Sequence, residues 1–222
     1  MQISCRDRNK IALQSDILGA NALGIKNILC ITGDSVKAGD QQNTKAVHEF
    51  ESVKLLKQIQ SFNKGIDPTF ELLSDKKTEI FAGAAADPSY KNLKVLKMRT
   101  ERKKEAGAGF IQTQMIMDKK YLINFCDEIS KPLNLPVLAG VFFLKSYKNA
   151  LFINKNVPGA NIPENILKRL KESDNPIEEG INIAAEQLRE FIDISEGVHI
   201  MAVKSEHLIP EILKRAEINL EY

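Results

Sequence analysis

Residues 27–34 read Asn27-Ile28-Leu29-Cys30-Ile31-Thr32-Gly33-Asp34, a short apolar run that ends in a polar turn. An apolar run that does not alternate with polar residues is typical of a strand buried on both faces, as in a parallel sheet. Residues 2–5 look like the end of such a strand, and comparable runs occur at 79–83, 110–114, 136–142 and 197–203. The sequence therefore predicts six parallel strands.

Helical segments with apolar residues three and four apart lie between these runs. The first segment is expected to bury one face that consists of Ile11, Leu13, Ile17, Leu18, Ala22 and Leu23. Asp118 is the predicted cap of a later helix, and the last helix is expected from about residue 207 to residue 220. Strand–helix–strand alternation builds right-handed βαβ units, which occur both in doubly wound sheets and in barrels. A complete (β/α)8 barrel has eight strands, two more than the sequence predicts.

Composition and charge exclude several classes of protein. Hydrophobic residues make up 43% and charged residues 27%, as in an ordinary globular protein. A net charge of +2 does not favour a nucleic-acid or membrane partner, and no apolar run suggests a signal peptide or a spanning helix. Cys5, Cys30 and Cys126 form no CxxC pair and no zinc spacing. We therefore expect no disulfide framework, no metal site and a cytoplasmic location.

Polar and glycine residues follow three of the predicted strands. They are Thr32-Gly33-Asp34, the segment 83–88, and Thr113-Gln114. In a parallel barrel these positions meet at the C-terminal mouth, where ligands bind. Each group taken alone is also compatible with an ordinary turn, because Gly-Asp and Asp-Pro are common turn dipeptides.

An ordered series of motifs resembles the methylenetetrahydrofolate reductase family along essentially the whole chain. The matching stretches are 4–9 (SCRDRN), 13–16, 19–20, 23–29 (LGIKNIL), 32–34 (TGD), 107–114 (GAGFIQTQ), 158–163 (PGANIP) and 197–201 (GVHIM). The resemblance implies a (β/α)8 TIM-type barrel that binds FAD at the carboxyl ends of its strands. It also implies that residues 1–222 are a single catalytic barrel domain with about six of eight βα units, truncated at the N-terminus relative to the family.

The activity implied by the resemblance is the reduction of 5,10-methylenetetrahydrofolate to 5-methyltetrahydrofolate, a step of one-carbon and methionine metabolism. The flavin would take its hydride from NADH, from NADPH or from a partner protein, and the sequence does not choose among these donors. A folate is the implied substrate. A homo-oligomer and an N-terminal or electron-transfer partner subunit both remain open.

Two residues carry the implied chemistry. Asp34 matches the family's aspartate beside the flavin ring and the pterin, where a carboxylate favours hydride transfer to a cationic substrate and accepts hydrogen bonds from the pterin amino group. Gln114 matches a glutamine that binds the folate and the nicotinamide in turn, because an amide offers both a donor and an acceptor. Tyr147 matches an aromatic residue that moves to admit the substrate, although a tyrosine at a helix start is equally typical of packing.

The resemblance also implies a set of flavin contacts, which are Gln2, Thr32, Gly33, Asp34, Gly83, Asp87, Arg102 and Lys103. Arg102 and Lys103 share a helix face with Arg99 and match positions that contact the phosphates and ribose, although charge runs are usually solvated. Gln2 replaces a histidine of many relatives, and Gly83 replaces an aromatic residue of some. His199, inside an apolar strand, is expected to be a hydrogen-bonded interior histidine.

The family's general acid, a glutamate on the first strand, has no counterpart in this chain. Its absence motivates an alternative hypothesis, a non-catalytic flavin-binding or assembly subunit that keeps the fold. A third interpretation is another flavin-binding or phosphate-binding barrel with a different substrate. Reductase activity of the chain alone separates the first two hypotheses, and a folate-dependent change in the flavin spectrum separates the third from the first.

Overall fold

The computed structural model describes residues 1–67, 77–157 and 159–218. Within these ranges the strands are β1 (Gln2–Ser4), β2 (Asn27–Ile31), β3 (Phe81–Ala86), β4 (Phe110–Met115), β5 (Val137–Phe142) and β6 (Gly197–Met201). The six predicted strands are confirmed, although β3 covers 81–86 rather than 79–83. Alanines continue this strand because pairing with its neighbours outweighs their low intrinsic β propensity.

The helices are α1 (Lys10–Ala22), α2 (Ser52–Asn63), α3 (Leu93–Glu105), α4 (Lys119–Phe125), α5 (Lys131–Leu133), α6 (Tyr147–Asn156), α7 (Glu164–Glu172), α8 (Pro176–Ile192) and α9 (Ile209–Arg215). Asp118 caps α4 as predicted, since its carboxylate accepts a hydrogen bond from Lys120 N. A π-helical turn, Cys126–Ser130, joins α4 to α5. Residues 219–220 of the last predicted helix and Pro158 of the 158–163 motif lie outside the described residues.

The strands form a sheet in which their order follows the chain, β1-β2-β3-β4-β5-β6. Parallel registers place Ile3 beside Cys30 in the first pair and Gly140 beside His199 in the last. A doubly wound sheet reverses its strand order at a switch point, whereas a (β/α)8 barrel keeps the sequential order. The barrel-type α/β fold is therefore confirmed, with six strands in the described part of the chain.

The chain divides into two compact units. The first comprises Met1–Ala85 and Lys97–Ile111, and the second comprises Ala86–Leu96 and Gln112–Tyr222. The expectation of one catalytic domain over residues 1–222 stays a prediction.

Helix α1 of the first unit buries a narrower stripe than predicted. Leu13, Ile17 and Ala20 are buried, whereas Ile11 is 75% exposed and Leu23 is 82% exposed. The expectation that all the apolar residues of this segment share one buried face was wrong. The buried residues follow each other at intervals of four and three, while Ile11 projects from nearly the opposite side of the helix.

Two phenylalanine rings cover two glycines in the first unit. The rings of Phe81 and Phe110 stack with their centroids 5.3 Å apart. A Cβ atom at Gly83 would overlap the ring of Phe110, and one at Gly109 would overlap the ring of Phe81. A side chain at either position would therefore displace a ring, because the rings occupy the space of the absent side chains.

The second unit contains a hydrophobic cluster built from the end of β4, from α6, α7 and α8, and from the loops between them. Its buried members are Met115, Met117, Leu144, Ala150, Ile153, Ile162, Ile166, Leu167, Leu170 and Ile183. Arg169 of α7 forms ion pairs with Glu179 and Glu186 of α8. These pairs are partly exposed, so apolar burial contributes most of the stability of this packing.

Candidate functional site

The end of β2 is tied to the start of α2. The hydroxyl of Thr32 donates a hydrogen bond to Ser52 Oγ (3.3 Å) and accepts one from Ser52 N (3.1 Å). The hydroxyl therefore satisfies a backbone N–H of the first helical turn, which has no partner within the helix. These contacts fix the direction in which the chain leaves β2 toward Gly33 and Asp34.

Gly33 and Asp34 follow directly. Gly33 has a φ of +91°, and a Cβ atom there would meet Ser4 Oγ and lie 2.7 Å from Arg6 Cβ. Packing against the end of β1 therefore requires glycine at this position, whatever ligand approaches it. The Asp34 side chain is exposed. The pKa of Arg6 is raised chiefly by its hydrogen bond to Asp7, and the carboxylate of Asp34 adds to this effect.

A cationic group lies at the end of β3 in the first unit. Lys103 of α3 donates a hydrogen bond from Nζ to the carbonyl of Ala85 (2.6 Å). Burial lowers the pKa of Lys103; the Arg99 cation acts in the same direction and Glu51 opposes both. Arg102 Nη2 lies 3.7 Å from Glu51 Oε1. Because the Lys103 ammonium has two further N–H donors, this strand end is suited to an anionic group such as a phosphate.

Gln2 and Gly83 lie in the same unit in different surroundings. Gln2 is exposed on β1, beside Leu29 of β2 in the parallel register. Gly83 is buried, and the ring of Phe110 fills the space where its side chain would be. The flavin assignments of Gln2 and Gly83 stay predictions.

Asp87 follows β3 and lines a cavity in the second unit. Its Oδ1 accepts hydrogen bonds from Ser89 N (2.9 Å) and Ser89 Oγ (2.6 Å), which orient the carboxylate. The cavity has a volume of about 590 Å³ and is lined by Asp87, Ser89, Tyr90, Lys91, Asn92, Tyr121, Gly159, Ala160 and Asn161. Two tyrosine rings, a lysine and two asparagines suit a ligand with flat rings and polar or anionic substituents.

Gln114 lies near the end of β4 in the second unit and is half-buried. Its Oε1 accepts a hydrogen bond from Met115 N (3.1 Å). A backbone N–H needs an acceptor, so this contact also determines which atom of the amide is the oxygen. The amide nitrogen of Gln114 is therefore oriented as a donor, and the oxygen keeps one further lone pair.

The prediction that His199 is hydrogen-bonded is confirmed, and its side chain is half-buried rather than fully interior. Its Nε2 lies 2.9 Å from the carbonyl oxygen of Thr113, and burial lowers the pKa of the ring. Sequence reasoning missed the part played by Gly140, where a Cβ atom would lie 3.0 Å from His199 Nε2. The available signal was a single glycine inside the apolar run 136–142, since such a glycine often marks a close approach of other groups.

Tyr147 begins α6 in the second unit. Ser146 caps this helix, since its hydroxyl accepts a hydrogen bond from Asn149 N (3.2 Å). The tyrosine ring packs on the hydrophobic cluster, and Lys171 Nζ lies 5.7 Å from its centroid. These contacts give Tyr147 a packing role, and its assignment to the substrate stays a prediction.

The predicted site residues are thus distributed over both units. The first unit contains Gln2, Thr32, Gly33, Asp34, Gly83, Arg102 and Lys103, and the second contains Asp87, Gln114 and Tyr147. In each unit the residues expected to do the chemistry lie at or just beyond a strand end, as in other parallel βα proteins.

The cysteines are free and buried. Burial is the main cause that raises the pKa of Cys5 and of Cys126 to about 11 and that of Cys30 to about 12. Within residues 1–67, 77–157 and 159–218, no group of three or more His, Cys, Asp or Glu side chains is arranged to hold a metal ion. The three thiols are therefore packing residues with little thiolate at neutral pH.

We expect the native chain to resist alkylation by iodoacetamide at pH 8. A thiol with a pKa of 11 is ionised to about one part in a thousand at that pH, and burial also blocks access of the reagent. All three thiols should react after unfolding in guanidinium chloride. Intact-mass spectrometry counts the modified thiols, and rapid labelling of the native chain would contradict their buried placement.

The sequential parallel βα order defines a protein of the (β/α)8-barrel class. A sequence profile described as methylenetetrahydrofolate reductase matches residues 1–217. The chain belongs to the methylenetetrahydrofolate reductase family.

Curated relatives are similar over nearly the whole chain. A Caenorhabditis elegans protein named as a probable methylenetetrahydrofolate reductase (NADPH) is 25% identical over 224 residues, covering 96% of this chain and 31% of that protein. Methylenetetrahydrofolate reductase 1 of Schizosaccharomyces pombe is 23% identical over 235 residues, covering 97% of this chain and 35% of that protein. The chain thus spans about a third of the length of the relatives it matches.

A solved structure shares the fold. A protein from Clostridium thermocellum that binds two copies of 5-methyl-5,6,7,8-tetrahydrofolic acid superposes with a TM-score of 0.50 and 14% identity, covering 97% of this chain and 92% of that chain. At this identity the likeness shows the fold alone. In the part of the chain that the structure describes, no helix has the length and hydropathy that a membrane span requires.

Proposed function

We propose that this chain binds FAD and a folate and takes part in the reduction of 5,10-methylenetetrahydrofolate to 5-methyltetrahydrofolate, with NADH or NADPH as the hydride donor. The observation that carries the proposal is the family match over residues 1–217. The name of the Caenorhabditis elegans relative supports a nicotinamide nucleotide as the donor. The folate-binding structure from Clostridium thermocellum is in keeping with a folate ligand on this fold.

Two separate observations support a flavin nucleotide as the ligand. In the first unit Lys103 offers a half-buried ammonium to an anionic group such as a phosphate. In the second unit the cavity beside Asp87, about 590 Å³, is large enough for a ring system. FAD, when bound, supplies the hydride chemistry that protein side chains lack. The proposed contacts of the cofactor are Gln2, Thr32, Gly33, Asp34, Gly83, Asp87, Arg102 and Lys103.

Asp34 and Gln114 are the proposed residues at the folate. An exposed carboxylate such as that of Asp34 stabilises a cationic iminium form of the substrate once the ligand excludes water around it. Gln114 donates from its amide nitrogen to an acceptor on the pterin, because Met115 N orients the amide by donating to its oxygen. Tyr147 is the proposed third contact of the substrate.

We further propose that residues 1–222 act as one catalytic domain in the cytoplasm. Free buried thiols at all three cysteines support a reducing compartment. A homo-oligomer and a partner subunit, N-terminal or electron-transferring, are both compatible with this proposal. Turnover that appears only after a second polypeptide is added would show that a partner subunit is required.

The test measures flavin and folate binding by the purified chain. We expect FAD to bind and a tetrahydrofolate to change its absorption spectrum, followed by oxidation of 5-methyltetrahydrofolate with an artificial electron acceptor. A chain that does not bind FAD would refute the proposal, whereas flavin binding without turnover would favour the non-catalytic subunit.

Lys103→Met is expected to weaken FAD binding about tenfold to a hundredfold, since a hydrogen bond to a charged group contributes about 1.5–3 kcal/mol. The matched control is Lys97→Met, which removes an exposed lysine from the same helix. It should change the dissociation constant by less than about twofold, because exposed charges interact weakly. Fluorescence titration with FAD measures the dissociation constants of both variants. Equal losses of FAD affinity in the two variants would show that Lys103 makes no specific contact.

A further inference from the structure

A threonine hydroxyl links β4 to β5 beside Gln114. Ile116 N, just beyond β4, donates to Gly140 O (2.9 Å). Gly140 N donates to Thr113 Oγ1 (2.8 Å), and the same hydroxyl donates to Gln114 O (2.8 Å). The threonine hydroxyl thus bridges the backbone N–H of Gly140 and the backbone carbonyl of Gln114.

His199 of β6 also contacts β4 beside Gln114. Gly140 lies beside His199 in the register of β5 and β6, and a Cβ atom at Gly140 would lie 2.7 Å from Gln114 O and 3.0 Å from His199 Nε2. Because residue 140 has no side chain, the imidazole extends across β5 and its Nε2 lies 2.9 Å from Thr113 O on β4. A carbonyl oxygen only accepts, so Nε2 carries the proton in this contact.

These contacts hold both peptide groups that flank the Cα atom of Gln114. The carbonyl of Thr113 is held by His199, and the carbonyl of Gln114 is held by the Thr113 hydroxyl. The side-chain oxygen of Gln114 is held in turn by Met115 N. The direction of the Gln114 side chain is therefore set before any ligand arrives, which reduces the rotamer entropy that binding would otherwise cost.

We infer that Thr113 and His199 are positioning residues for Gln114, and that they aim its amide nitrogen at a hydrogen-bond acceptor on the pterin of the folate. This inference rests on the proposed function, because it takes Gln114 as the folate-binding residue. Gly140 is part of the arrangement, since a side chain there would displace both the imidazole and the Gln114 carbonyl. Burial lowers the pKa of His199 and so favours the neutral ring, in which Nε2 carries the proton that is donated to Thr113 O.

The test is a double-mutant cycle between residues 113 and 114, read as the dissociation constant of 5-methyltetrahydrofolate from the change in the flavin spectrum. Thr113→Val keeps the shape and removes both hydroxyl hydrogen bonds. It should weaken folate binding about three- to tenfold, the range of one neutral hydrogen bond, and leave FAD binding unchanged. In a Gln114→Ala background the same change should have no further effect, because Thr113 acts through Gln114.

Conservative and control variants separate positioning from folding. Thr113→Ser keeps the hydroxyl and should bind folate like the wild type. His199→Gln supplies an N–H donor and should keep most of the affinity, whereas His199→Leu should lose about as much as Thr113→Val. Thr78→Val removes another buried hydroxyl, which donates to Asn63 Oδ1 (2.6 Å). It should lower thermal stability and leave the folate dissociation constant unchanged.

An equal loss for Thr113→Val with and without Gln114 would overturn the inference, and so would a Thr113→Val chain that binds folate like the wild type. If Thr113→Val does not fold, His199→Leu and His199→Gln are compared in the wild-type and Gln114→Ala backgrounds. A loss of folate affinity that depends on Gln114 then supports the inference, and a loss independent of Gln114 overturns it. Failure of Gln114→Ala to weaken folate binding would refute the proposed role of Gln114, and it would overturn the inference at its premise. Failure of the wild type to bind FAD would instead refute the proposed function itself.

Discussion

Gly180→Ala is expected to lower the free energy of unfolding by about 2–3 kcal/mol, even though alanine is the better helix former. Gly180 lies in α8, and a Cβ atom there would overlap the carbonyl oxygen of Leu144 and lie 3.1 Å from Phe143 Cε2. The overlapped oxygen belongs to the backbone, so it cannot rotate away as a flexible side chain would. The helix or the segment after β5 has to move, and the packing of the second unit loosens.

Thermal and urea unfolding, followed by circular dichroism, measure this loss. For a chain of this size it corresponds to a melting temperature roughly 5–10 °C lower. The matched control is Gly19→Ala in α1, where no heavy atom lies within 4 Å of the added Cβ. This change should stabilise the chain by up to about 1 kcal/mol, because glycine is a poor helix former. A Gly180→Ala chain that unfolds like the wild type would contradict the close packing of α8 on Leu144.

Gly33→Ala is the second change with a large expected effect, a loss of about 2–4 kcal/mol. The φ of +91° strains any residue with a Cβ atom, and that atom would also meet Ser4 Oγ and lie 2.7 Å from Arg6 Cβ. Ser4 Oγ accepts a hydrogen bond from Arg6 N (3.2 Å), so a displaced Ser4 loses this contact as well. Under the proposed function, FAD binding should also weaken at least about tenfold, because Thr32 and Asp34 move with the turn.

Gly24→Ala separates backbone strain from collision. Gly24 also has a left-handed φ, +79°, but no heavy atom lies within 4 Å of an added Cβ. Gly24→Ala should lower the free energy of unfolding by only about 1 kcal/mol, through backbone strain, and leave FAD binding unchanged. The difference between the two variants, in melting temperature and in FAD titration, measures the contact of Gly33 with the end of β1. Equal losses in both variants would show that this contact is absent.

The strands are readable from the sequence because burial on both faces produces a continuous apolar run. The exception is β3, whose alanines at 84–86 have little local preference for a strand and are held there by pairing. The buried face of α1 cannot be predicted from the sequence in this way. Ile11 and Leu23 are as apolar as Leu13 and Ile17, and only the contacts of the helix show which stripe is buried.

The candidate site can be predicted from the sequence only in part. Asp34, Asp87 and Gln114 follow from their places at strand ends and from the family motifs, and their functional roles stay predictions. The arrangement around Gln114 is different, because the bonds from Gly140 and His199 to Thr113 span 27 and 86 positions of the chain. No local pattern indicates that a threonine hydroxyl bridges two strands or that an imidazole extends across a neighbouring strand.

By itself, the sequence determines the alternation of buried strands and helices, the polar strand ends and the membership of the family, because hydrophobic periodicity and motifs are properties of neighbouring residues. The tertiary structure alone decides the strand order, which distinguishes the barrel type from a doubly wound sheet. It also decides which glycines are required. Gly19 and Gly180 both lie in helices, yet only Gly180 faces a carbonyl of another segment. Such contacts join atoms that are distant along the chain, and close packing in space determines them.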